Sequence, residues 1–332
     1  MNRPIFTVRL HCELPFLAQI SKGDGMSMET LTIARQSKNV TMAAQSRKMA
    51  RDMSSLLGRE VLHLPSTYAA NPSITKRPGG CGYYDDVGCF GAVRLLKNHL
   101  AQAVAAIRFS KERNKKLRFH INGEQYTPDG APVLAALKVL FAATPETELV
   151  LHPWMPHEEF LKLLTKMTIG LQVSLTEASN VVTKDMKSVG LPIVVSREIK
   201  NVSEQSIAYP TDTAMITERM HYAMAHPELV EVNRRHLAEY NAAFMPLWSK
   251  LLKNTFAPRV LFLVQQNPID TGINTSTSND AVELKKNGVY TEVVKTGWKL
   301  AALRHDIDRV RPTHVVAEAM WEALKLASGV YE

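Results

Sequence analysis

The sequence predicts an α/β protein whose two domains each contain a doubly wound parallel sheet. The chain has 332 residues, enough for two domains of roughly 150 residues each. Short runs rich in Val, Ile and Leu alternate with helical patterns along most of the chain. These runs are almost continuously apolar, which is typical of parallel strands that are buried on both faces of a sheet.

The composition excludes several classes of protein. The hydrophobic share is 45% and the charged share is 22%, so the chain is not a disordered, collagen-like or coiled-coil protein. The sequence contains no apolar run of the roughly 18 residues that a membrane helix needs, and its first residues do not resemble a signal peptide. Cys12, Cys81 and Cys89 show no C-x-x-C spacing, which predicts neither a disulfide framework nor a zinc site. We therefore expect a cytoplasmic protein without integral membrane contact.

The formal charge indicates an anionic partner. There are 40 Lys and Arg residues and 32 Asp and Glu residues, so the net charge is 40 − 32 = +8. An excess of this size favours binding of a nucleotide phosphate, a nucleic acid or a membrane surface, and it does not choose among them. Solubility alone is a further explanation.

The order of the elements supports the parallel sheets. The predicted strands cover residues 6–10, 87–90, 117–121, 149–151, 169–174, 192–196, 259–264, 289–294 and 313–319. Apolar spacing predicts helices over 99–113, 133–143 and 157–167, and it places Leu100, Val104 and Ile107 on the apolar stripe of the first. From about residue 212 to 254 the pattern is only helical, with Pro227 expected to separate two helices.

A first candidate site begins at Gly88 with the run GCFGAVRLLKN. A strand is expected to end at Phe90, and Gly91 allows a tight turn. Arg94 and Lys97 follow, and the next helix is expected to begin at Lys97 and Asn98. A flexible backbone, two cations and a helix N-terminus together favour a diphosphate ligand. Solvated basic residues at a helix start are the alternative.

The second candidate segment is VSLTEASNVVTKDMKSVGLPIVVS, from residue 173. Glu177 is expected at the transition from a loop to a helix, and Asp185 follows eight residues later on a similar face of that helix. Ala178, Ser179 and Asn180 are expected to offer first-turn N–H groups to an anion. Glu177 is suited to sugar hydroxyls and Asp185 to ribose hydroxyls. An ordinary capped amphipathic helix is the alternative.

These motifs resemble the donor half of retaining GT-B glycosyltransferases, from the large fourth sequence family. The resemblance covers residues 88–199 and includes CFGAVRLLKN, HINGE and the run from LHPWMPHEEF to IVVSREI, in the family's order and spacing. It is most similar to a branch of short enzymes found in tailed phages and some bacteria. The family's Glu-x7-Glu signature has members with Asp at the second position, as at Glu177 and Asp185. The resemblance implies two Rossmann-like domains whose parallel sheets face a cleft.

The resemblance also implies roles for the charged residues. Arg94 and Lys97 would bind the diphosphate of a nucleotide sugar, with a UDP-sugar expected. Glu177 would hold the hydroxyls of the sugar, and Asp185 would contact the ribose.

Further positions follow less directly from the family. His152 and Trp154 would lie near the nucleobase, and the first-turn amides of Ala178, Ser179 and Asn180 would bind phosphate. The sequence has Ala178-Ser179 where the family usually has Thr-Phe. This difference affects packing around the donor and not the charged groups.

The flanking segments resemble the family in the reverse order. Residues 259–294 are similar to the beginning of its acceptor domain, and residues 8–68 are similar to the second half of that domain. This order predicts a circular permutation. The predicted division is an acceptor-side domain of 1–80 plus 258–332, a donor domain of 81–212, and crossover helices and a linker over 213–257. A truncated enzyme tail fused to an unrelated βα segment is the alternative.

The family implies chemistry without a metal or a cofactor, because GT-B enzymes stabilise the leaving diphosphate with cations and helix dipoles. The letters Asp306-Ile307-Asp308 match a metal-binding Asp-x-Asp motif, but their surroundings predict a solvated helix face. His11 follows a strand and is expected to orient the acceptor or the transferred sugar; a structural histidine is the alternative. Gly272 is expected to let the first acceptor-domain loop approach the donor.

The predicted function is therefore transfer of a hexose, with retention, from a nucleotide sugar to an acceptor hydroxyl. A basic cluster would suit the phosphates of a hydroxymethylated DNA acceptor, and a glycan acceptor is equally open. The cluster comprises Arg108, Lys111, Arg113, Lys115, Lys116 and Arg118. A solvated helix end is another explanation for these residues. A nucleotide-sugar-binding protein without catalysis, or an epimerase of the same fold, remains an alternative function.

Overall fold

The computed structural model describes residues 4–17, 28–37, 39–76, 82–126, 128–253, 255–265, 272–296 and 300–318. The chain divides into two compact units. The first unit combines residues 1–69 with residues 240–332, and the second unit comprises residues 70–239.

The strands and helices alternate along most of the described chain. The strands are β1 (Ile5–Leu10), β2 (Val40–Ala44), β3 (Val61–His63), β4 (Tyr84–Val93), β5 (Lys116–Tyr126), β6 (Thr147–Leu151), β7 (Ile169–Gln172), β8 (Ile193–Ser196), β9 (Ile207–Ala208), β10 (Arg259–Gln265), β11 (Tyr290–Thr296) and β12 (His314–Glu318). The helices are α1 (Leu14–Leu17), α2 (Met28–Gln36), α3 (Arg47–Leu57), α4 (His99–Glu112), α5 (Ala131–Ala143), α6 (His157–Leu164), α7 (Val181–Val189), α8 (Thr213–Ala225), α9 (Glu228–Ala242), α10 (Phe244–Leu252), α11 (Gly272–Lys286) and α12 (Leu300–Val310).

The first unit contains a parallel sheet in the order β11-β10-β12-β1-β2-β3. Successive side chains of a strand point to opposite faces, and the central strands β10, β12 and β1 are buried on both faces. On β10, Leu261 and Leu263 enter one apolar core, whereas Val260 and Phe262 enter the other with Trp248. This two-sided burial explains why the strands read as continuous apolar runs.

The second unit contains a parallel sheet in the order β6-β5-β4-β7-β8-β9. Counted from β4, this is the 3-2-1-4-5-6 order of a doubly wound Rossmann fold. The direction of winding reverses between β4 and β7, which pair directly through Val87 and Ile169. In such sheets, ligands bind beyond the carboxyl ends of the strands at this reversal point.

Each predicted strand overlaps a strand of the described residues, so the existence of these strands is confirmed. The expected strand end at Phe90 is wrong, because β4 continues through Gly91 to Val93. β2, β3 and β9 were not predicted as strands. The sequence of β2 ends in two alanines, and β3 and β9 span only three and two residues. Their place in a sheet is set by neighbouring strands and not by a strong local pattern.

The predicted apolar stripe of α4 is wrong. Leu100 and Val104 are 43% and 41% exposed, whereas Ala103, Ala106 and Phe109 are fully buried. Small alanine side chains let the helix approach its neighbours closely, so the buried face is the alanine face. The break at Pro227 is confirmed, since α8 ends at Ala225 and α9 begins at Glu228.

The architecture is that of the predicted fold class, with two parallel α/β sheets of doubly wound type. No helix in the described part of the chain is long and apolar enough to cross a lipid bilayer.

Candidate functional site

A lysine–glutamate ion pair lies at the reversal point of the second unit's sheet. Lys97 follows β4 and Glu177 follows β7, and the Lys97 ammonium donates a hydrogen bond to Oε1 of Glu177. The two side chains are 11% and 10% exposed. The fold therefore brings together two predicted site residues that are eighty positions apart in the sequence.

Gly91 lies within β4 where the register with β5 shifts, and this backbone irregularity, the Gly91 turn, precedes Lys97. Gly91 has φ +110°, a conformation that side chains rarely adopt. Its N–H donates to Oδ1 of Asn122 on β5 at 2.8 Å. A Cβ atom at Gly91 would lie 3.9 Å from the ammonium nitrogen of Lys97, so the backbone at Gly91 lies close to the Lys97 ammonium group.

The helix after this turn begins later than the sequence predicted. Residues 95–97 form a single 3₁₀ turn, Asn98 adopts a left-handed conformation with φ +59°, and α4 begins at His99. The Asn98 amide donates to the carbonyls of Val173 and Pro210. These tertiary bonds hold the backbone out of helical geometry, so Lys97 and Asn98 precede the helix and do not begin it.

The predicted position of the second helix is also wrong by three residues. Asn180 is the N-cap of α7, and its side chain accepts the N–H of Thr183 at 2.8 Å. Glu177, Ala178 and Ser179 therefore lie in the loop before the helix. The amides of Ala178, Ser179 and Asn180 are consequently not those of the first helical turn. Glu177 and Asp185 do not share a helix.

Asp185 lies on α7 and is almost completely buried. Its Oδ1 is 2.7 Å from Nε2 of His157, the first residue of α6, and its side chain is 3% exposed. The hydrogen bond to Asp185 raises the pKa of His157 above its ordinary value, against the effect of burial. The histidine, with 42% of its side chain exposed, is thus the more accessible member of the pair.

His152 belongs to a chain of polar contacts that ends on a carboxylate. Its Nε2 is 2.9 Å from Nδ1 of His120, and Nε2 of His120 is 2.9 Å from Oδ1 of Asp86. Arg118 donates to both oxygens of Asp86 at 2.6 and 2.8 Å. Trp154, the other predicted nucleobase residue, is 42% exposed.

Several buried polar atoms near the Lys97–Glu177 pair have no hydrogen-bond partner among the described residues. They are the hydroxyls of Ser174 and Thr176, before Glu177, and both ring nitrogens of His99, after Lys97. Burial, together with the charges of Lys97 and Arg94, lowers the pKa of His99 to about 3. Orphaned polar atoms in native proteins usually indicate water or a ligand nearby.

In the first unit, His11 lies beside a buried charge cluster. Its Nε2 is 2.5 Å from Oε2 of Glu318, its Nδ1 is 3.2 Å from Oε1 of Gln45, and its side chain is 5% exposed. Arg9 donates to Glu318 and to Asp280, and the side chains of all three are 0% exposed. Both ring nitrogens of His11 are therefore engaged by neighbouring side chains.

The remaining predicted positions have simpler surroundings. Gly272 is the first residue of α11, and the loop before it, residues 266–271, lies outside the described residues, as does Cys81. The expectation that Gly272 lets this loop approach the donor stays a prediction. Asp306 and Asp308 lie on α12, as predicted. The described ranges contain no group of three or more His, Cys, Asp or Glu side chains arranged to hold a metal ion.

The basic cluster considered for DNA is extensively paired with acidic residues. Five ion pairs involve it: Arg108 with Glu112, Arg113 and Lys115 with Asp85, Lys116 with Glu146, and Arg118 with Asp86. Much of its positive charge is therefore neutralised within the second unit.

Asp86, His120 and His157 were not predicted as site residues. β5 carried a usable signal, because polar Arg118, His120 and Asn122 alternate with buried apolar residues on a strand inside the sheet. A polar stripe at that position indicates a polar environment on one face of the sheet. The partner of His157 could not be found from spacing, because it lies on a different helix.

The fold matches the GT-B architecture of solved glycosyltransferases. The structure is similar to TarM of S. aureus, at 10% identity and TM-score 0.57, over 75% of this chain and 50% of TarM. It is similar to the pneumococcal O-GlcNAc transferase GtfA, solved with UDP and GlcNAc, at 10% identity and TM-score 0.51, over 74% and 52%. It is also similar to sucrose-phosphate synthase from Thermosynechococcus elongatus, at 14% identity and TM-score 0.55, over 76% and 69%.

The similarity to these structures is one of fold. The aligned part of the chain spans about half the length of TarM and GtfA. No protein-family model matches the sequence, and no curated protein sequence is significantly similar to it.

Proposed function

We propose that this protein transfers a hexose from a UDP-sugar to an acceptor hydroxyl, with retention of configuration. The observation that carries the proposal is the Lys97–Glu177 pair beside the Gly91 turn, at the reversal point of a doubly wound sheet. The GT-B fold and the presence of UDP in solved complexes of similar proteins support it.

The residues are suited to separate parts of such a donor. Lys97 and Arg94 would neutralise the diphosphate, assisted by the amides of Ala178, Ser179 and Asn180 in the loop before α7. Glu177 would accept hydrogen bonds from sugar hydroxyls while it orients Lys97. On this proposal the nucleoside lies near His152, Trp154 and the His157–Asp185 pair. His11 would orient the acceptor or the transferred sugar.

The reaction would proceed by attack of the acceptor on the face that the diphosphate leaves. The bond from the anomeric carbon to the phosphate oxygen breaks, and the bond from that carbon to the acceptor oxygen forms. The acceptor proton passes to the departing phosphate oxygen. Lys97 and Arg94 would stabilise the negative charge that develops on the diphosphate, so we propose that no divalent metal is required.

We propose a glycan hydroxyl as the acceptor, because the basic cluster offers little unpaired charge to DNA phosphates. We further propose that the chain is a circularly permuted relative of the phage-like branch, with a functional division at 1–80 plus 258–332, 81–212 and 213–257. The compact units instead change at 69/70 and 239/240. Counted from β10, the first unit's sheet has the doubly wound order 2-1-3-4-5-6, which supports the permutation. Genetic reordering of the chain to begin at residue 258 should preserve its folding, and loss of folding would contradict the permutation.

Donor binding and turnover test the function together. UDP and a panel of UDP-sugars are titrated calorimetrically, and transfer to glycan acceptors is followed with and without a chelator. NMR of the product reports the anomeric configuration. We expect UDP binding and chelator-resistant transfer with retention. Binding without transfer would indicate a non-catalytic protein, interconversion of two UDP-sugars would indicate an epimerase, and no UDP binding would refute the proposal.

A further inference from the structure

β5 presents different chemistry on its two faces. Leu117, Phe119 and Ile121 are at most 1% exposed and belong to an apolar core. The residues between them point to the opposite face, where His120 contacts both Asp86 and His152. Asp86, His120 and His152 thus form a relay of polar side chains. It runs from the Asp86 carboxylate toward the C-terminal ends of the strands.

Asp86 sets the direction of this relay. Burial alone would raise the pKa of Asp86, but hydrogen bonds from His120 and Arg118 lower it below its ordinary value. An ionised carboxylate only accepts hydrogen bonds, so Nε2 of His120 must carry the proton that it shares with Oδ1 of Asp86.

The contacts of His120 constrain the proton position on His152. When His120 is neutral with its proton on Nε2, Nδ1 of His120 accepts from Nε2–H of His152. Burial, followed by the effect of His120, lowers the pKa of His152, which favours its neutral form at neutral pH. In this arrangement Nδ1 of His152 carries a lone pair. The described residues provide no hydrogen bond to that atom.

Hydrogen bonds to adjacent residues of β5 link His152 and Gly91. The N–H of Gly123 donates to the carbonyl of His152 at 3.2 Å, and the preceding residue, Asn122, accepts the N–H of Gly91. Adjacent residues of β5 therefore anchor both the Gly91 turn and His152 at the same edge of the sheet.

We propose that Nδ1 of His152 accepts a hydrogen bond from the ring N–H of a uracil base, so that the relay selects UDP over CDP. This inference rests on the proposed function, which brings a nucleoside diphosphate to this edge. Uracil carries a hydrogen on N3, whereas N3 of cytosine has a lone pair that would face the lone pair of His152. Asp86 and His120 act through His152 and are positioning residues.

The inference is tested by the ratio of the dissociation constants for CDP and UDP. We expect the wild-type protein to favour UDP by about tenfold or more, the effect of one well-placed hydrogen bond. Asp86→Asn removes the charge that orders the relay, so the ratio should fall by about tenfold. His152→Phe keeps a flat ring without the acceptor atom and should have the same effect, which covers the possibility that Asp86→Asn does not fold.

Asp85→Asn is the matched control. Asp85 lies next to Asp86 on β4 and is fully buried, but it forms ion pairs with Arg113 and Lys115 and not with the histidines. Substitution of Asp85 should lower stability, because its cations lose their partner, while the CDP/UDP ratio stays the same. Nitrogen NMR should show the proton of His152 on Nε2 in the wild-type protein and lose that preference in Asp86→Asn.

Each outcome is decisive. If the wild-type protein binds neither nucleotide, the proposed function is wrong, and the relay has no nucleobase to bind. If UDP binds but Asp86→Asn and His152→Phe leave the ratio unchanged, only the relay inference is overturned. A proton on Nδ1 of His152 would also overturn it, whatever binds.

Discussion

Each unit has a cationic side chain beside at least one carboxylate near the C-terminal ends of its strands. The two cations differ in how many of their N–H groups have hydrogen-bond partners. Arg9 in the first unit donates to Glu318, to Asp280 and to two backbone carbonyls, and its side chain is 0% exposed. Lys97 in the second unit makes one side-chain hydrogen bond within the described residues, to Glu177, and is 11% exposed.

The difference separates a structural cluster from a binding site. All three guanidinium nitrogens of Arg9 have partners, so it has little capacity left for a ligand. An ammonium group has three N–H donors, and Lys97 retains donors for a ligand beside the bare turn at Gly91. We infer that Arg9 mainly holds its sheet together, whereas Lys97 mainly contributes to binding.

Arg9→Met should show the larger effect and should act on stability. The substitution leaves Glu318 and Asp280 buried without their cation, which costs about 3–5 kcal/mol in the free energy of unfolding. Urea denaturation at pH 7 measures this loss. Arg51→Met is the control, because the Arg51–Asp52 pair has an arginine side chain that is 75% exposed, and it should change stability by less than about 1 kcal/mol. Equal losses in the two variants would remove the distinction between the clusters.

Lys97→Met should act on binding. We expect the affinity for UDP to fall roughly 100-fold, or about 3 kcal/mol, because a charge-assisted contact with the diphosphate is lost. Calorimetric titration measures the affinity, and urea denaturation should show a smaller change in stability than Arg9→Met produces. Lys162→Met provides a control in an exposed pair with Glu158 and should bind UDP like the wild type. The comparison is contradicted if Lys97→Met loses stability but keeps its affinity.

Asp280→Asn should have the smallest effect, visible in the pH dependence of stability. Burial raises the pKa of Asp280 to about 6, despite the opposing charge of Arg9. Between pH 4 and 6 the folded protein therefore binds more protons at this residue than the unfolded chain, and its stabilising contribution falls as the pH rises.

Relative to the wild type, the asparagine variant should gain stability from pH 4 to 6, by on the order of 1–2 kcal/mol. The pKa of Glu318 is lowered, so that residue contributes in the opposite direction in both proteins. Urea denaturation of both proteins at pH 4, 5, 6 and 7 measures the difference. A difference that does not vary with pH would show that Asp280 keeps an ordinary pKa.

The local pattern was sufficient for much of the fold and for part of the site. Runs such as RVLFLV predict strands because every residue is apolar, and β10 is buried on both faces. The resemblance assigned Lys97 and Glu177 to one donor site, but it did not predict the direct hydrogen bond between them. The start of α7 was predicted three residues too early, because more than one polar residue before the helix, such as Ser179, could also serve as its N-cap.

Local sequence pattern could not predict the relay or the His157–Asp185 pair. Asp86, His120 and His152 are separated by steps of 34 and 32 residues, and His157 reaches Asp185 across 28. The choice of these partners depends on strand register and on the packing of helices. The same holds for Leu100 and Val104, whose spacing fits a buried stripe although the alanine face of α4 is the buried one.

The alternation of strands and helices, and the charged residues at the strand ends, can be predicted from local sequence. The reason is that apolar runs, glycines and capping residues act over a few neighbouring positions. Which charged groups have all their hydrogen-bond partners, and which keep hydrogen-bonding capacity, depends on the folded structure. That outcome depends on contacts between distant segments, such as Arg9 with Glu318 on adjacent strands, and on how completely packing removes water from each charged group.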